Sequence, residues 1–191
     1  MMHEKTRALA YEGLFTALVA AGAFIQIPVP YLDYFTLQFF FVLLAGMILG
    51  AKRGAASVGC YVLLGLLGIP IFAAGGGIGY IVRPSFGFLA AFIVAAYGVG
   101  WIAKKQKNTM RGMLKAALIG LLITYGIGLL YKYLILNFYL GTKTPISVIL
   151  LSCFPLDLPG DLVLCVLASM IAPRLRTVSY THLTLPTNSL V

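Results

Sequence analysis

Charge is scarce in this chain of 191 residues: five acidic and fourteen basic side chains amount to 10% of it, against 61% hydrophobic residues. Roughly a quarter of a soluble domain is charged, so water is excluded as the main solvent. Histidine is nearly missing too, with His3 and His182 close to opposite ends and no ligand partners beside them. Cys60, Cys153 and Cys165 form no Cys-x-x-Cys pair and read as packing or lipid-facing residues, which leaves no spacing suited to a metal. No glycine run leads into Lys followed by Ser or Thr, so the chain has no phosphate loop with which to hydrolyse ATP. Neither a G-x-S-x-G elbow nor a carboxylate pair sharing a helix face with histidine is present, which favours binding or transport over catalysis and calls for no cofactor. The net charge of +9 lies in short clusters rather than one basic face, so nucleic acid is not the implied partner.

What the chain has in abundance is apolar runs close to the ~20 residues that cross a bilayer. They fall at 8–27, 37–51, 54–71, 84–103, 113–136 and 159–173, and predict an all-α integral membrane protein with six transmembrane helices. The second and third are short, as befits helices that are tilted or shielded by neighbours, since ~15 residues rise only about 22 Å. The first run continues into Pro28 without a small-residue cleavage site and is expected to remain as a helix. Residues 1–178 then form one membrane domain. The stretch 179–191, SYTHLTLPTNSLV, shifts abruptly to Ser, Thr and Pro, resembles translated adapter sequence, and is set aside as a disordered or artefactual tail.

With the N-terminus inside, the clusters at 5–7, 52–53, 104–115 and 174–176 put eleven of the fourteen basic residues in the cytoplasm. Only Arg83, Lys132 and Lys143 stay outside, an asymmetry that predicts a cell-membrane protein with both termini cytoplasmic. The outer connections 28–36, 68–83 and 137–158 are long and apolar enough to fold back into the bundle. Gly75, Gly76 and Gly77 in the second either let backbone approach a ligand or simply make a turn.

Charged groups at membrane depth cost about 2.5 kcal/mol or more, so each is a functional candidate. Arg83 precedes Pro84 at the mouth of the fourth run, where it either pairs with a ligand carboxylate or snorkels to headgroups. Asp161, in PLDLPGDLVL, falls in the first turn of the sixth, where the helix dipole favours a carboxylate that can also accept ligand N–H groups. Asp157 reads as a cap or solvent-facing acid. Gln38 opens the second run among aromatics, suited to an amide-like ligand or to an interhelical hydrogen bond. Phe35, Phe72 and Tyr80 either line an apolar pocket or anchor at the interface. Gly13, Ala17 and Ala21 recur every fourth residue as a smooth stripe, suited to internal packing or to docking another subunit.

The ordered segments PVPYLDYFTLQ (28–38), LLAGMILGAKRGAASVGCYVLLGLLGIPIFAAGGGIG (43–79), RPSFGFL (83–89) and FPLDLPGD (154–161) resemble the BioY family over roughly residues 8–176. These are the biotin-binding S components of energy-coupling-factor (ECF) transporters. The resemblance implies a six-helix subunit that captures biotin from outside and works with a transmembrane coupling subunit and two cytoplasmic ABC-type ATPases. It places the coupling contact on Ala17 and Ala21, with Gly13 as an extension. In the pocket, Asp161 and Gln38 are expected to read the ureido ring and Arg83 its carbonyl or the tail carboxylate. Where family members often carry lysine, this chain has Leu164, and where many read GPT it reads Arg83-Pro84-Ser85. Leu164 motivates an alternative substrate, another vitamin or a precursor such as dethiobiotin; a membrane-embedded enzyme or structural subunit is the alternative of a different class.

Overall fold

The computed structural model describes residues 2–27, 35–153 and 157–181. Seven α-helices account for most of them: α1 (Met2–Phe24), α2 (Gln38–Leu49), α3 (Ala51–Leu66), α4 (Phe86–Lys105), α5 (Met110–Leu134), α6 (Ile146–Cys153) and α7 (Asp157–Thr181). A 3-10 turn spans Ile78–Val82, and a π turn, Ile135–Tyr139, extends α5. Each of the six expected runs falls on a helix. The first ends earlier than expected, at Phe24, because Gln26 and Ile27 (β1) pair antiparallel with Thr36 and Phe35 (β2) in a two-residue ribbon. Residues 28–34, 154–156 and 182–191, which include most of the first outer connection, His182 and most of the expected tail, lie outside the described residues. Of that tail, 179–181 continue α7. The helix α6, inside the connection expected at 137–158, has no counterpart among the expected runs.

The apolar pattern decides where each helix sits. Apart from Gln38, α2 is apolar all round, and it occupies the middle of the bundle against α1, α3, α4, α5 and α7. Val42, Leu43, Ala45 and Met47 on it are almost wholly buried. The α2–α3 turn is pressed so closely onto the end of α4 that a Cβ at Gly100 would meet the backbone of Ala51. On α4, α5 and α7 the residues that face away from the core, including Val94, Trp101, Leu122, Val163 and Met170, are large, apolar and exposed. Soluble monomers rarely present so much contiguous apolar surface, and its natural solvent is lipid.

Three helices, Phe86–Lys105, Met110–Tyr139 and Asp157–Thr177, are long and apolar enough to cross a membrane by length and composition. The other three expected crossings do not meet that standard, for identifiable reasons. Lys5, Arg7 and Glu12 charge the first half of α1, α2 has only 12 residues, and α3 has 16 with Lys52 and Arg53 at its start.

One end of the bundle gathers the basic segments. Arg53 on α3 lies 3.7 Å from the Glu12 carboxylate on α1, and Thr16 Oγ1 donates to the Ser57 carbonyl at 2.9 Å. Arg176 on α7 donates to the Ala103 carbonyl on α4 at 3.2 Å, and Asn108 in the α4–α5 connection to the Pro173 carbonyl at 3.1 Å. The opposite end holds the outer connections and a cavity.

Candidate functional site

The cavity opens where six segments converge. The ribbon contributes Phe35 and Thr36, α2 begins with Gln38 and Phe39, and the 68–83 connection supplies Ala73, Ala74 and Tyr80. Across from them stand Phe88, Leu89 and Phe92 of α4, Thr124, Tyr125 and Lys132 of α5, and Asp157 and Asp161 of α7. Apolar and aromatic walls with a few convergent polar groups are the usual make-up of a small-molecule site.

Packing behind the walls fixes their aromatic faces. Phe72 is 1% exposed and is absent from the cavity lining; it stands between Tyr61, with ring centroids 5.4 Å apart, and Tyr80, 4.6 Å away. Its ring occupies the space over Gly65, where a Cβ would collide with it. Phe35 is seated in the same way over Gly160 of α7. The glycine run 75–77 makes a turn rather than a ligand cradle. Gly75 and Gly77 adopt φ of 109° and 102°, Phe72 and Gly75 exchange backbone hydrogen bonds, and Gly77 donates to the Gly65 carbonyl at 2.7 Å. None of the three glycines lines the cavity.

The polar groups fall into two levels. At the inner one the Tyr125 hydroxyl donates to Asp161 Oδ2 at 2.9 Å, joining α5 to α7. Gln38, 3% exposed, donates through Nε2 to the Tyr61 hydroxyl, which in turn donates to the Ile71 carbonyl at 3.2 Å; Gln38 Oε1 accepts from Thr36 at 3.2 Å. Its amide thus makes the interhelical bond while one face still borders the cavity. Thr124 lies buried beside Tyr125, and at the outer level Lys132 donates to Ser152 Oγ of α6 at 3.1 Å.

The structure therefore brings Phe35, Gln38, Tyr80 and Asp161 together around one cavity and places Phe72 behind Tyr80. Arg83 is exposed and does not line the cavity; its guanidinium lies 5.1 Å from the Tyr80 ring centre. Asp161 occupies the second turn of α7 rather than the first, because the helix already runs from Asp157. Asp157, expected as a cap or solvent-facing acid, heads the helix and also lines the cavity. Leu164, 5% exposed, belongs to the hydrophobic core. Sequence reasoning missed Thr124, Tyr125 and Lys132. Their signal was available, since Tyr125 and Lys132 are seven residues apart and share one face of the apolar outer half of α5. Gly13, Ala17 and Ala21 are all exposed, whereas Phe15, Val19 and Ala23 carry the inward face of α1.

A helical bundle with a lipid-compatible outer surface and an aromatic cavity at one end defines a membrane-embedded small-molecule-binding protein. The BioY family profile matches residues 1–180, and the chain belongs to that family. It is 38% identical over 176 residues to a probable biotin transporter BioY of Lysinibacillus sphaericus, covering 92% of this chain and 89% of the relative. To the biotin transporter BioY of Thermotoga maritima it is 40% identical over 172 residues, covering 89% and 96%. A crystal structure of the S-component for biotin from an ECF-type ABC transporter superposes with a TM-score of 0.81 at 26% identity, covering 93% of this chain and 94% of the other.

Proposed function

We propose that this chain is the biotin-binding membrane subunit of an ECF-type importer, a transport component without catalytic chemistry of its own. The observation that carries this reading is the Tyr125–Asp161 pair at the inner end of an aromatic-walled cavity. With one oxygen held by Tyr125, the carboxylate retains acceptor capacity for the paired N–H groups of a ureido ring. Gln38, with a second amide hydrogen to spare, is suited to the ring's carbonyl. Phe35 and Tyr80 suit its fused, apolar body, with Phe72 holding Tyr80 in place. Arg83, behind Tyr80, acts from the rim on the ring carbonyl or the tail carboxylate.

The six helices α1–α5 and α7 form the membrane bundle, with the short α2 and α3 shielded by their neighbours and both termini on the cytoplasmic side. The basic end, with Arg53 and Arg176, faces the cytoplasm and the cavity end faces outward. On α1 the exposed stripe of Gly13, Ala17 and Ala21 is the docking surface for the transmembrane coupling subunit, with a pair of ABC-type ATPases supplying the energy. Its outward direction favours docking over internal packing.

Calorimetric titration of the detergent-purified chain with biotin, and with unrelated vitamins as controls, tests the proposal. Tight one-to-one binding of biotin alone is expected. A folded chain that ignores biotin and binds another vitamin or dethiobiotin would move the substrate to the second reading, which Leu164 favours by leaving the core position without a charge.

A further inference from the structure

The hydroxyl of Thr124 is the one buried side-chain polar atom without a hydrogen-bond partner among the described residues. A buried threonine or serine within a helix can satisfy its hydroxyl by bonding back to the carbonyl four residues earlier. In this chain Ser169 does so to Cys165 at 2.6 Å and Thr177 to Pro173 at 2.9 Å. Thr124 forgoes that bond, is 1% exposed and lines the cavity. Next to it, Tyr125 bonds Asp161, so Thr124 joins Tyr125, Asp161 and Gln38 at the inner level.

The outer level lies on the same helix. Lys132 is seven residues beyond Tyr125, on the same face and ~10 Å higher along the axis. Between the two levels the cavity wall is Phe88, Leu89 and Phe92 of α4. Among the described residues Lys132 is the cation that lines the cavity, which also holds the carboxylates of Asp157 and Asp161. Serine 152 receives one of the three ammonium donors and steadies the side chain against α6.

Resting on the biotin reading above, we infer that α5 selects the ligand by length and charge: Thr124 Oγ1 bonds the ring end, and Lys132 binds the carboxylate at the end of the tail. The ligand class is a compact hydrogen-bonding ring that carries a short aliphatic acid. Such an acid is steered away from Asp161, since the cation that lines the cavity among the described residues stands two turns up. Arg83 then serves the rim, and Lys132 supplies the charge pairing.

The test is calorimetric titration of the full chain in detergent with biotin and with biotin amide, in which the tail charge is removed. Wild type is expected to prefer the acid about tenfold, the range of one charge-assisted hydrogen bond. In Lys132→Met, and in Lys132→Gln should the first not fold, the preference collapses toward one while the amide still binds. Thr124→Val, of nearly the same shape, weakens both ligands about tenfold while apo thermal stability holds or rises, because no buried hydroxyl is left without a partner. Equal binding of acid and amide by wild type, a preference that survives Lys132→Met, or undiminished binding by Thr124→Val overturns this inference and leaves the biotin reading standing. A folded wild-type chain that binds neither compound removes both.

Discussion

Tyr125 and Asp161 meet across 2.9 Å at the inner end of the cavity, one from the middle of α5 and the other from the second turn of α7. The pair ties two of the long apolar helices together at the cavity. Neither residue is near the other in sequence, and the bond is a product of how α5 and α7 pack.

Replacing the carboxylate tests its role directly. Asp161→Asn swaps an acceptor-only group for one that also donates, and biotin affinity is expected to fall about tenfold or more, while Arg83→Ala, acting from the rim, costs less. Calorimetry on the purified variants reads both. Affinities within twofold of wild type for both variants would sink the polar assignments.

Gly65→Ala sets a methyl group against the Phe72 ring, which is locked between Tyr61 and Tyr80. Overpacking of this kind costs about 1–3 kcal/mol. The melting temperature in detergent should drop, and biotin binding should weaken with it because Tyr80 loses its seat. Combining the change with Phe72→Leu is expected to recover part of the stability.

Gly100→Ala makes the same kind of clash at the other end of the bundle, against the backbone of Ala51, which cannot rotate away. A destabilisation of about 1–3 kcal/mol is expected again, this time with the biotin affinity of the folded fraction intact. Loss of affinity equal to that of Gly65→Ala would mean that the basic end and the cavity are mechanically linked.

Ala17→Leu and Ala21→Leu place bulk on the exposed stripe of α1 without touching the core. Vitamin uptake by cells that hold the partner subunits should fall strongly, and binding by the isolated chain should be unchanged. Equal loss of uptake and binding would identify the stripe as a packing face instead.

Much of this architecture was legible in the sequence because solvent partition acts on composition and needs no tertiary knowledge. Each of the six apolar runs falls on a helix, three of them long enough to cross a membrane, and the basic clusters marked one end of the bundle, where Arg53 and Arg176 bridge helices. The ends were less legible: α1 stops at Phe24 because of ribbon pairing with Phe35 and Thr36, a contact between segments that no local pattern announces. Phe35, Gln38, Tyr80 and Asp161 stood out as polar or aromatic residues beside apolar runs, and they share one cavity.

What only the tertiary structure decided is which of several equally suitable side chains face inward. Arg83 and Lys132 are both cations at the outer ends of apolar runs, yet Arg83 lies over Tyr80 outside the cavity lining and Lys132 lines it. Phe72 and Phe88 are both aromatics near the site, but only Phe88 reaches the cavity, since Gly65 opens a slot that takes Phe72 into the core. Composition fixes the solvent a helix prefers, because transfer free energies nearly add residue by residue. The azimuth of each helix, and hence the membership of the site, depends on close packing among all of them at once, and that information exists only in the folded bundle.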